Sequence, residues 1–189
     1  MLEDLEPGSN GLPVNVATCK PESIFCAKST FAHGLTWRSV VINGTAHTLT
    51  FEKSGMKENA QFTEQDIERN EKIWGLYQIV NGYIPDQWEH TRHPTKKEVD
   101  MVLVLRVDID TERSYTHVRH GIFKWAPDWE SADPRYHWEG AIPMWEAYGE
   151  PFYGNTETEY PLRLKRFFDE RSRKNEAYAK VQASKEFKE

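Results

Sequence analysis

The first part of the chain alternates apolar and polar residues, as half-buried β-strands do. Four runs carry this pattern: VNVATC (14–19), SIFCAKST (23–30), TWRSVVIN (36–43) and TAHTLTF (45–51). A turn signal, Lys20-Pro21-Glu22, separates the first two runs. The dipeptide Asn43-Gly44 separates the last two and predicts a hairpin, because it accepts the positive φ angles of a type I′ turn.

The pattern changes to helical spacing after residue 62. Thr63 suits the N-cap position, and Glu64 and Asp66 follow it in the first turn, where the helix dipole favours negative charge. Gly82 is placed where a glycine commonly ends a helix. Four apolar residues recur between these ends at helical spacing: Ile73, Leu76, Tyr77 and Val80. We therefore predict one amphipathic helix over 64–81.

The next elements return to strand patterns. Thr95 and Glu98 have the spacing of a capping box, which predicts a short helical turn. The run DMVLVLRVDID (100–110) is apolar over a long stretch and predicts a strand buried on both faces. The segment SYTHVRHG (114–121) predicts a further strand.

The C-terminal third combines a loop, an edge strand and a helix. The tryptophan-rich stretch 122–138 has no clear period and predicts a covering loop. Pro143 restricts the strand-like segment around it to an edge or an entry position. A helix is predicted from Pro161 onward, with oppositely charged pairs at the stabilising i,i+4 spacing: Glu170 with Lys174, and Glu176 with Lys180. Its apolar stripe thins past Phe168, which predicts a tail lying on a surface or on a partner.

These elements predict an α+β fold with a mainly antiparallel sheet, one packed helix and a C-terminal helix. A chain of 189 residues is long enough for one domain with its own core. We assign a loose leader to residues 1–12, the main domain to 13–159 and a helical tail to 160–189.

Charge and hydropathy exclude some classes of function. The formal net charge of −6 argues against nucleic acid or an anionic membrane surface as the main partner, because both require a basic face. The sequence contains no apolar run long enough to span a membrane, and the acidic start MLEDLEPGSN has none of the features of a signal peptide. We therefore expect a cytoplasmic protein.

The segment FAHGLTWRSVV (31–41) has polar groups where a structural strand would carry apolar ones. Strand alternation places Arg38 on the face of Thr36 and Val40, and Trp37 and Ser39 on the other face. A guanidinium followed by apolar surface suits a ligand with an anionic edge and an apolar body. The alternative is an arginine at the rim of the sheet, paired with a carboxylate.

The histidines do not predict a metal site. His117 and His120 fall in a strand, where an i,i+3 pair points to opposite faces. The other close pair, His90 and His93, lacks further ligands at the spacing that zinc favours. His33 precedes a glycine at a strand entry and is a candidate ligand contact. Motifs for a nucleophile elbow, a phosphate loop or a dinucleotide site are absent from the sequence, so chemistry carried by a bound cofactor or substrate is favoured over a side-chain nucleophile.

Three segments, in the same order, resemble the pyridoxamine 5′-phosphate oxidase-like, flavin-nucleotide-binding proteins. AKSTFAHGLTWRSVVINGTA is similar to the central strand pair of that family through Ser29, Phe31, His33, Arg38, Ser39, Val40, Val41, Gly44 and Ala46. WEHTRHPTKKEV matches through Trp88, Arg92, Pro94, Thr95 and Glu98. HWEGAIPMWEAYGEP matches through Trp138, Gly140, Ile142, Pro143, Gly149, Glu150 and Pro151. The resemblance covers about residues 14–151.

This resemblance implies a split β-barrel that forms a homodimer, with FMN in a groove at the subunit interface. Trp37, Arg38 and Ser39 would line the flavin groove, and Ser29 belongs to the same matched segment. Trp138 would approach the cofactor or close the dimer. The implied function is that of an oxidoreductase in which the flavin transfers hydride to or from a small molecule.

The chain departs from the family at two places that concern phosphate. Its β-rich region starts at Val14, so we expect that the N-terminal phosphate cradle of the family has no counterpart. His117 also stands where the family has a lysine. We expect weaker phosphate binding, from a shortened relative that no longer holds FMN or from one whose barrel a partner subunit completes.

Two other functions stay open on the sequence alone. One is a cofactor-free enzyme that uses the aromatic groove for an organic substrate, with His33 or His117 as acid or base. The other is a binding protein without catalysis.

Overall fold

The computed structural model of the chain describes residues 9–52, 55–122, 138–154 and 159–185. Within them the strands are β1 (Leu12–Cys26), β2 (Gly34–Leu49), β3 (Val104–Arg119) and β4 (Gly140–Pro143), and the α-helices are α1 (Glu64–Arg69), α2 (Glu71–Tyr83), α3 (Lys96–Asp100) and α4 (Leu162–Ser184). The strands form one antiparallel sheet in the order β3-β2-β1-β4. The predicted α+β class is confirmed. The tryptophan-rich loop predicted over 122–138 lies, apart from its end residues, outside the described residues.

The four strands predicted over residues 14–51 are two long strands in the structure. β1 continues through Lys20-Pro21-Glu22 and β2 continues through Asn43-Gly44, so both predicted turns are wrong. Asn43 holds β2 to β3 instead of turning the chain. Its side-chain Nδ2 donates to the carbonyl oxygen of Arg113 at 2.6 Å, and its backbone N–H donates to Oγ of Ser114 at 3.0 Å.

Gly44 allows a close approach of two strands. A Cβ atom at this position would lie 2.4 Å from the carbonyl oxygen of Asp108 in β3. Glycine is therefore required here by the neighbouring backbone and not by a positive φ angle. Contacts with β3 override the local turn preference of Asn43-Gly44.

Contacts divide the chain into two compact units. Unit 1 comprises Met1–Val16 and Ile42–Ser114, and unit 2 comprises Ala17–Val41 and Tyr115–Glu189. The domain boundaries expected from the sequence, at 12/13 and 159/160, stay a prediction.

Unit 1 has a helical core in which Phe62, Ile73, Trp88 and Val99 are buried. The predicted single helix is interrupted at Asn70, whose extended backbone ends α1 and whose side chain caps α2 by accepting from the N–H groups of Lys72 and Ile73. α2 extends to Tyr83, so Gly82 lies inside the helix and does not end it.

The N-cap predicted at Thr63 and the capping box predicted at Thr95 are confirmed, and Thr63 also forms a capping box, with Asp66. The backbone N–H of Thr63 donates to the Asp66 carboxylate at 2.9 Å, and that of Thr95 donates to the Glu98 carboxylate at 2.7 Å. Each box satisfies donors that a helix start leaves without partners.

The burial predicted for β3 is wrong. Val104 is buried, but Leu105 and Ile109 are 43% and 54% exposed. Leu105 and Ile109 point to the same face of β3, and the described part of the chain leaves these two side chains uncovered.

Unit 2 packs α4 against β4. β4 is an edge strand that pairs with β1, and Pro143 lies opposite Ser23 at its end, which confirms the edge position predicted for that proline. The helix begins directly after Pro161, and both predicted i,i+4 ion pairs are present. Ala179 and Ala183 are buried, so the prediction that the tail lies on a surface or on a partner is wrong for its last turns.

No α-helix in the described ranges is both long enough and apolar enough to cross a lipid bilayer.

Candidate functional site

Arg38 is held by a buried carboxylate. Its Nε lies 2.7 Å from Oε1 of Glu22, which is the residue before the buried Ser23 in β1. The guanidinium also lies over the ring of Tyr178 in α4, with its carbon 4.5 Å from the ring centroid. These two contacts restrict the orientation of the guanidinium, so it would lose little conformational freedom on binding a ligand. The alternative expected from the sequence, an arginine paired with a carboxylate, is therefore present.

Arg38 also lines a cavity of about 550 Å³ in unit 2. The charged and amide side chains in its wall are Lys20, Arg38, Glu146, Arg171 and Asn175, and the hydroxyl side chains are Thr18, Ser39 and Thr116. Val40 and Val118 add apolar surface. Because Arg38, Ser39 and Val40 are consecutive, the cavity is not confined to the single strand face that alternation predicted.

The cavity is positively charged. Its wall contains three cations, Lys20, Arg38 and Arg171, and the carboxylate of Glu146. Oε2 of Glu146 lies 3.0 Å from Nζ of Lys20. This hydrogen bond, and then the charges of Lys20, Arg171 and Arg38, hold the pKa of Glu146 below its usual range. Glu146 balances Lys20 and the buried Glu22 balances Arg38, so the cations at the cavity exceed these carboxylates by one, and the site favours an anion.

Hydrogen bonds to α4 position the segment that carries Glu146. Nδ2 of Asn175 donates to the carbonyl oxygen of Glu146 at 3.0 Å. The backbone N–H of Tyr148 donates to Oγ of Ser172 at 3.0 Å. α4 thus contributes Arg171 and Asn175 to the cavity wall, and it also fixes the segment that carries Glu146.

Trp37 lies in an aromatic and cationic cluster outside the cavity wall. Its ring is 5.8 Å from that of His117, and the guanidinium of Arg119 lies 5.2 Å from its centroid. Oγ of Ser39 is within 3.5 Å of the carbonyl oxygen of His117, at the limit of a hydrogen bond. Trp37, Ser39 and His117 are therefore neighbours, as β2 and β3 pair.

The other candidate residues lie elsewhere. Nδ1 of His33 accepts the backbone N–H of Ala27 at 2.9 Å, which leaves Nε2 as the donor of the neutral ring. Oγ of Ser29 is buried without a hydrogen-bond partner among the described residues. Trp138 is 63% exposed. The cavity wall includes Arg38 and Ser39, but not Ser29, His33, Trp37, His117 or Trp138.

Sequence reasoning missed the charged and amide side chains of the cavity other than Arg38, namely Lys20, Glu146, Arg171 and Asn175. The sequence placed Lys20 in a predicted turn. It placed Arg171 and Asn175 in a helical tail predicted to lie on a surface or on a partner. No spacing links these positions, because three separate elements bring them together.

The described ranges contain no group of three or more His, Cys, Asp or Glu side chains placed to hold a metal ion.

No family model and no curated protein matches the chain. Solved structures with the same fold include the following two. The FAD and heme binding protein from Mycobacterium smegmatis aligns with a TM-score of 0.65 and 20% identity, over 88% of this chain and 71% of that one. The flavocytochrome Anf3 from Azotobacter vinelandii aligns with a TM-score of 0.62 and 19% identity, over 82% of this chain and 64% of that one.

At these identities the likeness defines the fold alone. The fold is the α+β split-barrel type that the sequence predicted. This chain spans about two thirds of the length of the two proteins it resembles.

Proposed function

We propose that this chain binds a flavin nucleotide, with the phosphate in the cationic cavity of unit 2. The observation that carries the proposal is the convergence of Lys20, Arg38 and Arg171 on one cavity, where Glu146 in the wall and Glu22 behind Arg38 balance two of the three cations. A phosphate group matches this excess of positive charge. The names of the two structural neighbours, an FAD and heme binding protein and a flavocytochrome, support a flavin as the bearer of that phosphate.

The residues fit such a group. The cavity of about 550 Å³ is within the range of roughly 300–1,000 Å³ usual for small-molecule sites. Arg38 and Arg171 would pair with the phosphate oxygens, and the hydroxyl of Ser39 and the amide of Asn175 would complete its hydrogen bonds. Glu22 and Tyr178 would keep Arg38 in place.

The finer assignment is an FMN-binding oxidoreductase of the pyridoxamine 5′-phosphate oxidase-like family. A bound flavin supplies hydride transfer, and the protein supplies binding and orientation. Lys20 is paired with Glu146, so it would contact the anion only if the ligand competes with that carboxylate. FMN is favoured over FAD by the motif resemblance in the residues around Arg38 and Ser39.

Binding of three flavins to the full chain tests the proposal. We expect FMN to bind, and riboflavin, which lacks the phosphate, to bind at least about tenfold more weakly, as loss of one charge-assisted hydrogen bond predicts. Arg171→Met should weaken FMN binding by about tenfold or more, whereas Arg166→Met, an exposed arginine of the same helix, should leave it unchanged. Quenching of flavin fluorescence measures each dissociation constant.

Three results would contradict the proposal: no flavin binding, equal binding of FMN and riboflavin, or equal effects of the two arginine substitutions. Tighter binding of FAD than of FMN would overturn the FMN assignment and leave the flavin site itself standing.

We also propose that the protein is a homodimer. Leu105 and Ile109, which are exposed and share one face of β3, support it, because exposed apolar patches often mark protein–protein interfaces. Analytical ultracentrifugation should give twice the chain mass, and Ile109→Lys should shift the mass to that of one chain. A monomer at all concentrations would contradict this assignment.

A further inference from the structure

Two of the three cations at the cavity of unit 2 have a carboxylate partner, and the two carboxylates differ in exposure. Oε2 of Glu146 lies 3.0 Å from Nζ of Lys20, and Oε1 of Glu22 lies 2.7 Å from Nε of Arg38. The side chain of Glu146 is 67% exposed, whereas that of Glu22 is 4% exposed. An exposed ion pair contributes little stability, but breaking a buried one is costly. A ligand therefore displaces Glu146 from its cation more easily than it displaces Glu22.

The backbone around Glu146 is anchored independently of its carboxylate. Its carbonyl oxygen accepts a hydrogen bond from Nδ2 of Asn175 in α4 at 3.0 Å. The backbone N–H of Met144, two residues earlier, donates to the carbonyl oxygen of Glu22 in β1 at 2.8 Å. Neither hydrogen bond involves the carboxylate of Glu146. Rotation about its side-chain bonds therefore separates this carboxylate from Lys20 while the backbone stays in place.

The charge of a phosphate monoester makes this separation favourable. Such a group carries about two negative charges near neutral pH. Glu146 and Glu22 balance Lys20 and Arg38, so the cavity offers an excess of one positive charge, which Arg171 completes. Release of Lys20 from Glu146 would supply the second positive charge.

We propose that Glu146 competes with the phosphate of the ligand for Lys20 and thereby lowers the affinity of the cavity for phosphate. This inference rests on the phosphate site proposed above. In the free protein Lys20 pairs with Glu146. In the complex Lys20 contacts a phosphate oxygen and the Glu146 carboxylate turns to solvent, while Arg38 stays paired with Glu22. The ligand is then held less tightly than three cations would hold it, and it exchanges more readily.

Glu146→Gln in the full chain tests the competition. The substitution keeps the size of the side chain, removes its charge and lies at an exposed position. We expect it to tighten the binding of FMN, measured by quenching of flavin fluorescence, and of inorganic phosphate, measured by ³¹P NMR, by about fivefold each. Damage to the fold would not raise affinity.

The matched control is Glu170→Gln. Glu170 is also exposed and also pairs with a lysine, Lys174, at 2.7 Å, but it lies outside the cavity wall. This variant should bind FMN and phosphate as the wild type does. An equal gain in affinity for both glutamate variants would overturn the proposal.

Lys20→Met shows whether Glu146 acts through Lys20. The double variant Glu146→Gln with Lys20→Met should bind FMN no more tightly than Lys20→Met alone, because the gain requires the released ammonium group. The same gain with and without Lys20 would show that Glu146 acts by its charge alone, which would overturn the competition.

The two ligands separate failure of this inference from failure of the proposed flavin site. Unchanged affinity of Glu146→Gln for a ligand that the wild type binds would overturn the inference and leave the flavin site standing. Tighter binding of phosphate by Glu146→Gln without binding of FMN would support the competition and overturn the flavin site. Absence of binding of both ligands would overturn both proposals.

Discussion

Oε1 of Glu22 lies 2.7 Å from Nε of Arg38, and the two side chains differ sharply in exposure, at 4% for Glu22 and 43% for Arg38. The carboxylate of Glu22 is therefore shielded from water, and the positive charge of Arg38 balances its negative charge. The guanidinium keeps part of its surface exposed, and Arg38 lines the cavity. The pair joins β1 to β2 at the wall of the candidate site. One arginine thus serves both the stability of the sheet and the charge of the cavity.

Removing Arg38 should destabilise the fold. Arg38→Met leaves the Glu22 carboxylate buried without its cation, which costs about 3 kcal/mol or more of the free energy of unfolding. Glu22→Gln combined with Arg38→Met should recover part of that loss. Urea unfolding measures the free energy of unfolding of the single and the double variant.

The control is Arg113→Met, which removes an exposed ion pair with Asp110 and should cost less than about 1 kcal/mol. Equal losses of stability at Arg38 and Arg113 would contradict this account of the Glu22–Arg38 pair.

Gly44 and Gly82 should respond to alanine in opposite directions. Gly44→Ala would place a Cβ atom against the carbonyl oxygen of Asp108, and we expect a loss of about 1–3 kcal/mol from the forced separation of β2 and β3. Gly82 lies in α2 with no atom within 4 Å of an added Cβ, so Gly82→Ala should gain roughly 0.5–1 kcal/mol from helix propensity. Thermal unfolding of both variants checks this, and a stable Gly44→Ala protein would show that the strands are not so close.

Ser23 and Thr36 should be coupled in a double-mutant cycle. Their hydroxyls are 2.7 Å apart, and both residues are completely buried. Ser23→Ala leaves the Thr36 hydroxyl without this partner and should cost about 1–3 kcal/mol. Ser23→Ala with Thr36→Val removes both hydroxyls and should cost less than the sum of the single changes. Additive free energies of unfolding would rule out the shared hydrogen bond.

Glu98 should make stability depend on pH in the acid range. The hydrogen bonds from Arg92, followed by those from Thr95, lower the pKa of Glu98 to about 2. The folded state therefore favours the charged carboxylate, and its contribution to stability is present above the pKa of the unfolded chain, near 4.5, and is lost as the pH falls toward 2. Unfolding curves between pH 5 and 2 should show a smaller loss of stability for Glu98→Gln than for the wild type. Glu112→Gln, on the exposed surface of β3, is the control and should follow the wild type.

The parts of the fold that rest on neighbouring residues could be predicted. The capping boxes at Thr63 and Thr95 and the ion pairs along α4 involve residues three or four apart, so the sequence contains both partners within one turn. The exposure of Leu105 and Ile109 could not be predicted, because an apolar strand has the same sequence whether its sheet neighbours cover it or not. The break between α1 and α2 at Asn70 could not be predicted, because an asparagine inside an apolar helical pattern does not by itself indicate a new helix N-cap.

The candidate site was predicted only in part. Arg38 and Ser39 were identified from a strand segment whose polar residues were out of place, and both line the cavity. Trp37 was chosen by the same argument, but its ring lies with His117 and Arg119. Which side chain faces a cavity depends on the element packed over the strand, and in this protein that element is α4.

By itself, the sequence determined where α1, α3 and α4 start, which residues pair along α4, and that strands dominate the first third of the chain, since each of these follows from interactions a few residues apart. The tertiary structure alone decided that Asn43-Gly44 stays extended, because backbone and side-chain contacts with β3 outweigh a local turn preference. It also decided the charge of the cavity. Lys20, Arg38 and Arg171 lie on three elements, and only sheet pairing and the packing of α4 bring their charges to one place.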